Sequence, residues 1–282
     1  MSLKIQFKDA LIIAIVAIIA VGAFLASYLL DGTLAFGTLI WGVPVTILLV
    51  LLFGLILEER RRKQERHQQL SEALNNTYSQ IEALISVRSE LEIDGDLPTT
   101  RGWAASPDFL QELTRIIRTR NPQQVVEAGS GVSTIVTALA LRKKESGNIV
   151  ALENGSEFAK KTRSYLEHHD LKKYANVVHA PLTKHARRDS KYVWYDTTAL
   201  KDCGSIDLLI VDGPPALQDS TARFPVLPLL WDQLSPNAVI LIDDGDRQGE
   251  QEIVERWCED YNLESTYFPL EEGAYLLKRT TQ

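Results

Sequence analysis

The chain has 282 residues, of which 45% are hydrophobic and 24% charged, an ordinary composition for one or two globular domains. Its formal net charge of −7 argues against a dedicated nucleic-acid binder, so we expect no nucleic-acid partner. The two cysteines, Cys203 and Cys258, are too few for a disulfide framework and are not spaced like zinc ligands, which favours a reducing compartment.

Two uncharged apolar segments, residues 11–30 and 34–57, are each long enough to cross a bilayer as a helix. Only three residues separate them, so residues 1–57 are predicted to form a transmembrane helical hairpin. Lysines and arginines flank the hairpin and are missing from its loop, which places both ends in the cytoplasm. We therefore expect a multi-pass protein of the bacterial inner membrane. A cleaved signal peptide is the alternative for the first segment.

Residues 58–96 are charged and almost free of glycine and proline, and they are predicted to form a helical connector that ends near Asp94. Its apolar residues recur at alternating steps of four and three, as in a heptad seam. Two interpretations are open: the helix packs on the domain that follows it, or it forms a parallel coiled coil that makes a homodimer. The seam consists of Leu70, Leu74, Thr77, Ile81, Leu84, Arg88 and Leu91.

In residues 97–282, short apolar runs alternate with helix-like stretches. This pattern predicts a doubly wound, mostly parallel, seven-stranded α/β sheet with helices on both faces and ligands beyond the carboxyl ends of its strands. The stretch 182–204 has no clear pattern. The predicted strands are 124–128, 148–152, 175–179, 206–211, 238–242, 265–268 and 274–278, the last two as a closing hairpin. The predicted helices are 107–120, with Ser106 as its cap, 132–144, 156–168, one ending near 234, and 248–261.

A glycine-rich turn, Glu127-Ala128-Gly129-Ser130-Gly131, joins a predicted strand to a predicted helix, and its glycines let a ligand approach the backbone closely. Glu153 ends the next strand, where a carboxylate can accept hydrogen bonds from two ribose hydroxyls. A dinucleotide fingerprint needs a third glycine where Thr134 stands, and an acid before the glycines suits a positively charged cofactor better than a pyrophosphate. The loop favours S-adenosylmethionine over NAD; a tight structural turn is the alternative.

With these motifs, the chain from about residue 102 to 278 resembles the class I S-adenosylmethionine-dependent methyltransferases, in a bacterial, O-methyltransferase-like subgroup. The segment Gly102-Trp103-Ala104-Ala105-Ser106-Pro107 and the later Asp212-Gly213-Pro214 add to the resemblance. It implies methyl transfer to a hydroxyl of a small molecule, a sugar or a lipid-linked substrate. The expected cofactor-binding residues are Glu127, Gly129, Ser130, Gly131, Ser133, Glu153 and Asn154.

Asp212 follows the fourth predicted strand, and Asp243 and Asp244 end the fifth. Because neighbouring parallel strands end side by side, the three carboxylates are expected to meet as ligands of a divalent cation such as Mg²⁺. This resembles the metal-dependent O-methyltransferases, in which the metal lowers the pKa of the acceptor hydroxyl. Asp212, Asp243 and His179 are the expected catalytic residues, with His185 as an alternative base. Helix capping and turn formation by the aspartates are the structural alternative.

Two other functions remain open for the chain. One is a non-catalytic, membrane-anchored binding or scaffold protein, and the other is a nucleotide-dependent oxidoreductase. Trp194-Tyr195 and Arg223-Phe224-Pro225 are interpreted either as lining the acceptor pocket or as core, and Arg247 with Glu250 as an exposed helix pair.

Overall fold

The computed structural model describes residues 36–280, except 101, 103, 188–189 and 216–219, together with the helical residues 15, 18, 19, 22, 26 and 29. The chain divides into two compact units, residues 1–74 and residues 75–282. The helix α1 (Phe36–Glu90) has residues in both units.

The predicted membrane hairpin belongs to the first unit. Most of its first segment and the loop at 31–33 lie outside the described residues, and the second segment falls within α1. In the part of the chain that the structure describes, no helix combines the length and the apolarity that crossing a bilayer requires. The transmembrane hairpin is therefore not confirmed.

The last turns of α1 belong to the second unit and pack in its core. Val87, Leu91 and Ile93 are buried in its core, and Arg88 Nη2 donates to the carbonyl oxygen of Ile93 at 3.0 Å just after the helix ends. The helix ends at Glu90, close to the predicted break. The packed-helix interpretation is therefore confirmed for these last turns. The earlier seam residues are exposed instead: Leu70, Leu74 and Ile81.

The second unit is built on a seven-stranded sheet with the order β3-β2-β1-β6-β7-β9-β8. The first five strands in this order are parallel, and β9 and β8 are antiparallel, so the predicted α/β class and the closing hairpin are confirmed. The strands are β1 (Gln124–Ala128), β2 (Asn148–Glu153), β3 (Ala175–His179), β4 (Leu182–Arg187), β5 (Ser190–Tyr195), β6 (Ile206–Val211), β7 (Leu234–Asp243), β8 (Leu263–Phe268) and β9 (Ala274–Arg279).

Helices cover both faces of this sheet. The first face packs against α2, α3, α4 and the end of α1, and the second against α5, α6 and the β4–β5 hairpin. Full burial of a leucine, isoleucine or phenylalanine side chain contributes roughly 1.5–3 kcal/mol, so these two layers supply most of the driving force for folding. The helices are α2 (Pro107–Arg120), α3 (Val132–Lys143), α4 (Ser156–His168), α5 (Val226–Leu230) and α6 (Gln248–Tyr261).

The region between β3 and β7 differs from the prediction. The stretch 182–204 contains the antiparallel hairpin β4–β5, whose first strand is polar and largely exposed and therefore lacks the apolar alternation of a half-buried strand. The helix expected to end near residue 234 is the short α5, followed by a 3₁₀ turn at Trp231–Gln233. β7 begins at Leu234, four residues before the predicted start.

The strand order reverses between β1 and β6. From β1 the chain continues to β2 and β3 on one side, and later returns to β6 and β7 on the other. In open α/β sheets, ligands bind in the crevice outside the carboxyl ends of the strands at such a reversal. The loops that follow β1, β2, β6 and β7 therefore define the region where a site is expected.

Candidate functional site

The loop between β1 and α3 leaves its backbone open. Gly129 has φ +110°, a conformation that glycine adopts without the strain of a Cβ, and a side chain there would also lie 3.5 Å from the Asp212 backbone carbonyl. A Cβ added at Gly131 would meet no atom within 4 Å. Space beside the loop is therefore free for a ligand that approaches the main chain.

Glu127 lies completely buried beneath this loop. The hydroxyls of Ser133 and Thr134 each donate to one of its carboxyl oxygens at 2.5 Å, and Thr134 Oγ1 accepts a hydrogen bond from Gly131 N at 3.1 Å. Burial raises the pKa of Glu127 to about 8, because it outweighs the lowering effect of the two hydroxyls. Glu127 is therefore mostly protonated at neutral pH and fixes the start of α3.

This placement buries two of the residues predicted to bind the cofactor. Glu127 and Ser133 are 0% and 2% exposed and face each other, so neither side chain is open to the crevice. A buried acid must be satisfied by internal hydrogen bonds, and the hydroxyls of the first helical turn provide them. Thr134, which stands where a dinucleotide motif has its third glycine, has the same role.

Glu153 and Ser130 are brought together as predicted. Ser130 Oγ donates to Glu153 Oε2 at 3.0 Å, and Gly155 N donates to Oε1 at 2.8 Å, so the carboxylate at the end of β2 has a fixed orientation. Asn154 follows it and is half-buried. Gly129, Ser130, Gly131, Glu153 and Asn154 thus all lie at the carboxyl ends of the neighbouring strands β1 and β2.

His179 lies away from the acidic residues with which it was expected to act. It ends β3, where its register partner is Glu153, and its side chain is exposed. Two strands, β2 and β1, lie between β3 and β6 in the sheet, and Asp212 follows β6. His185 lies on β4, where its Nε2 is 2.9 Å from the Tyr195 carbonyl oxygen. Neither histidine is therefore placed as a base beside Asp212.

The three aspartates after β6 and β7 surround an arginine. Arg223 Nη2 lies 2.6 Å from Asp244 Oδ2 and 3.5 Å from Asp212 Oδ1, and Arg223 Nη1 lies 3.5 Å from Glu250 Oε1. Arg223 Nη1 also donates to the backbone carbonyl oxygen of Asp243 at 3.0 Å. We call Arg223, Asp212, Asp244 and Glu250 the Arg223 cluster.

Protonation of the carboxyl groups, as well as pairing with arginine, limits the negative charge of this network. Burial raises the pKa of Asp212 to about 7, against the opposing effect of Arg223, and the charge of Asp244 raises it further. Burial and the charge of Asp212 raise the pKa of Asp243 well above its ordinary value. At neutral pH, Asp212 is therefore close to half-ionised, and Asp243 holds its proton more firmly than an ordinary aspartate does.

Arg247 and Glu272 complete the network on its open side. Arg247 Nη1 lies 2.8 Å from Asp244 Oδ2, and its Nη2 lies 3.5 Å from Glu272 Oε2. A hydrogen bond with Asp244, together with burial, raises the pKa of Glu272 to about 7. The prediction that Arg247 and Glu250 form an exposed helix pair is wrong, because Glu250 is buried and pairs with Arg223.

The predicted metal ligands are not assembled as a metal site. Among the residues that the structure describes, no group of three or more His, Cys, Asp or Glu side chains is arranged to hold a metal ion. The oxygen atoms of Asp212 and Asp244 face the Arg223 guanidinium, which occupies the position expected for the cation. The donor set therefore does not fit Mg²⁺.

A cavity of about 510 Å³ opens over this network. Its charged walls come from the ends of β6 and β7, and its small apolar wall comes from Gly102, Ala104 and Ala105 in the segment before α2. The sequence pattern did not predict that this segment lines the site. The remaining lining residues are Asp212, Pro215, Arg223, Asp243, Asp244, Arg247 and Glu272.

Tyr195, the last residue of β5, lies beside Gly213 in the loop that follows β6. It is buried, and its hydroxyl is so close to Gly213 that a Cβ there would stand 2.3 Å from it. Burial, with the charges of Glu153 and Asp212, raises the pKa of the Tyr195 phenol well above its ordinary value. The phenol therefore stays protonated and offers a hydrogen-bond donor at the strand-order reversal. Trp194 beside it belongs to the core.

Residues 126–245 match the family model described as a methyltransferase domain. The matched region begins in β1 and ends just after β7, so it contains both the glycine loop and the three aspartates Asp212, Asp243 and Asp244. A search of curated proteins returned no significant match.

Solved structures with a similar fold include the S-adenosylhomocysteine-bound methyltransferase PaMTH1 of Podospora anserina, with 18% identity, a TM-score of 0.51, and coverage of 71% of this chain and 88% of that chain. Another is a putative caffeoyl-CoA O-methyltransferase from Staphylococcus aureus, with 12% identity, a TM-score of 0.47, and coverage of 76% and 98%. The O-methyltransferase TomG from Streptomyces achromogenes has 18% identity, a TM-score of 0.44, and coverage of 71% and 88%.

Proposed function

We propose that the second unit is an S-adenosylmethionine-dependent methyltransferase that transfers the methyl group to a hydroxyl of a small-molecule or lipid-linked acceptor. One observation carries the proposal: the Glu153 carboxylate is fixed by Ser130 and Gly155 beside the open backbone of Gly131, at the reversal of strand order. A carboxylate in this place is suited to accept hydrogen bonds from the two ribose hydroxyls of an adenosine. The match to a methyltransferase domain over residues 126–245 supports the same assignment.

The start of α3 favours a donor without phosphate groups. A dinucleotide loop uses its second glycine to bring the backbone close to the pyrophosphate and its third glycine for close packing of the helix on the strand. Here Thr134 holds the buried Glu127, and the hydroxyl of Thr134 takes up the Gly131 N–H. A backbone donor that a phosphate would need is therefore already satisfied, which supports S-adenosylmethionine over a dinucleotide.

Asp212 is the group we assign as proton acceptor for the hydroxyl. It lines the cavity, keeps 22% of its side chain exposed, and has a pKa raised to about 7 by burial. A base with a pKa near the working pH is effective in general-base catalysis. When bound, S-adenosylmethionine supplies an activated methyl group. Asp212 would accept the proton of the acceptor hydroxyl as that oxygen receives the methyl group.

Calorimetric titration of the full-length protein with S-adenosylmethionine tests the donor assignment. Glu153→Ala should lower the affinity by about 10- to 100-fold, because loss of a hydrogen-bonded charged partner costs about 1.5–3 kcal/mol. Glu157→Ala is the matched control, since Glu157 is an exposed acid that pairs with Lys160. Equal affinity in the wild type and Glu153→Ala would refute the assignment. Binding of NAD instead would favour an oxidoreductase, and donor binding without turnover would favour a binding protein.

A second proposal concerns location: the uncharged segments 11–30 and 34–57 anchor the chain in a bacterial inner membrane, with both ends in the cytoplasm. Apolar side chains within them are exposed, among them Ile18 at 69%, Leu29 at 80% and Leu55 at 62%. Such contiguous apolar surface needs lipid or a protein partner to cover it. Reporter fusions at the C-terminus test the orientation, and periplasmic alkaline-phosphatase activity would contradict it.

A further inference from the structure

Arg223 is fixed at the centre of the acidic residues by the structure around it. It lies in the turn before α5, in which Phe224 N donates to the Thr221 carbonyl oxygen and the Phe224 carbonyl oxygen accepts from Trp257 Nε1. Trp257 belongs to the core. The guanidinium is 3% exposed and touches the ends of both β6 and β7. It is therefore a built component of the cavity floor.

The oxygen atoms that a cation would need are already used by arginine. Arg223 contacts a carboxylate oxygen of Asp212 and of Asp244, and it also donates to the backbone carbonyl oxygens of Asp212 and Asp243. Asp244 Oδ2 also forms an ion pair with Arg247. A divalent cation at this position would have to displace a buried guanidinium and would meet its positive charge at ligand distance.

We propose that Arg223 is the fixed positive charge of this site and takes the place that a divalent cation holds in metal-dependent O-methyltransferases. Arg223 positions the Asp212 carboxylate over the cavity and compensates the charge of Asp244 and Glu250, and methyl transfer here needs no divalent cation. The proposal rests on the proposed methyltransferase function for its catalytic part. The binding part, that the cluster holds arginine and not metal, stands on the geometry alone.

Thermal unfolding of the full-length wild-type protein tests the binding part directly. A cation present at about 100 times its dissociation constant stabilises the folded state enough to raise the melting temperature by several degrees. We expect no such shift with Mg²⁺ or Mn²⁺, and no change after chelator treatment. A rise that disappears in Asp244→Asn would overturn the proposal, because it would place a cation on this carboxylate.

Replacing Arg223 provides a test in the opposite direction. Arg223→Met leaves Asp212, Asp244 and Glu250 without their central charge, so Mn²⁺ should stabilise this variant although it leaves the wild type unchanged. Arg223→Lys keeps a positive charge and should stay insensitive to Mn²⁺, which also covers the case in which Arg223→Met does not fold. Arg187→Met is the matched control, because Arg187 pairs with the exposed Asp232. Stabilisation of Arg223→Lys by Mn²⁺ to the extent expected for Arg223→Met would contradict the proposal.

The catalytic part of the proposal is tested by turnover, which is measured separately from the binding of S-adenosylmethionine. With an acceptor identified, turnover should persist in chelator, and Arg223→Lys should lower kcat at least 10-fold while the dissociation constant of S-adenosylmethionine changes less than about threefold. Turnover that chelator abolishes and Mg²⁺ restores would overturn the proposal. Absence of S-adenosylmethionine binding in the wild type would instead refute the proposed function, and the cation titrations would still decide what the cluster binds.

Discussion

The Arg223 guanidinium and the Asp244 carboxylate form an ion pair of 2.6 Å in which the two side chains are only 3% and 6% exposed. The pair joins the turn before α5 to the end of β7, which are also connected by the hydrogen bond from Arg223 Nη1 to the Asp243 carbonyl oxygen and by apolar packing. Burial raises the pKa of Asp244, but its hydrogen bond with Glu272 and the charges of Arg223 and Arg247 outweigh this effect, and the pKa lies below its ordinary value. Asp244 is therefore the ionised acid of the network.

Asp244→Asn should destabilise the folded state by about 3–5 kcal/mol, because removing one partner of a buried pair leaves the other charge without compensation. Urea unfolding of the full-length protein measures this loss. Asp232→Asn is the control, since Asp232 is 77% exposed in its pair with Arg187 and should change stability by less than about 1 kcal/mol. Similar losses in the two variants would show that the Arg223 pair is not effectively buried.

Stability should fall as the pH rises, and Glu127 should account for part of this fall. Its pKa is about 8 in the folded state and has an ordinary value of 4.5. The folded state therefore holds a proton that the unfolded chain releases, so the stabilisation is complete below pH 4.5 and is lost as the pH rises to about 8. The slope from this group is at most about 1.4 kcal/mol per pH unit.

Glu127→Gln removes this titration while keeping the shape of the side chain. Urea unfolding between pH 5 and pH 8 should show a shallower decline for Glu127→Gln than for the wild type. Asp212 and Glu272, whose pKa values of about 7 are also raised, leave a residual slope of the same sign. Parallel curves for the two proteins would mean that Glu127 is ionised in the folded state.

Sequence patterns predicted most of the sheet because its central strands are buried. β6 and α6 have the predicted bounds, since continuous apolar runs and helical periodicity follow directly from which faces must avoid water. The β4–β5 hairpin was missed because its first strand has few buried residues, so its alternation carries no apolar signal. The proximity of Glu153 and Ser130 follows from their places at the carboxyl ends of the neighbouring parallel strands β2 and β1, which the sequence pattern predicts.

The sequence predicted the acidic residues at the ends of β6 and β7 but not the charge that compensates them. The strand pattern correctly placed Asp212, Asp243 and Asp244 at adjacent strand ends, and the expected repulsion between them indicated that a positive charge is needed. The compensating charge, Arg223, comes from a turn whose position depends on Phe224 packing in the core. Helix or strand periodicity does not predict the position of this turn. A basic residue next to an aromatic residue in an otherwise apolar stretch, Arg223-Phe224-Pro225, was the available signal.

The two loop glycines should respond differently to alanine. Gly131→Ala should fold with nearly unchanged stability, because a Cβ there meets no atom, but it should weaken S-adenosylmethionine binding at least 10-fold if the donor lies against this backbone. Gly129→Ala should lower stability by about 1–3 kcal/mol, because its φ of +110° strains a residue with a Cβ. Urea unfolding and calorimetry separate the two effects. Unchanged donor affinity in Gly131→Ala would place the donor elsewhere.

The exposed part of the connector seam predicts a homodimer. Leu74 and Ile81 are 67% and 51% exposed on α1, whereas the seam residue Leu91 is buried against the second unit. Apolar residues at heptad spacing are covered when two copies of the helix pair in parallel. Analytical ultracentrifugation of the full-length protein in detergent should show a dimer, which Leu74→Lys combined with Ile81→Lys dissociates. Glu72→Lys combined with Ser79→Lys adds lysines at exposed positions across the helix and should leave the dimer intact. A monomer at micromolar concentration would leave packing of the last turns as the sole role of the seam.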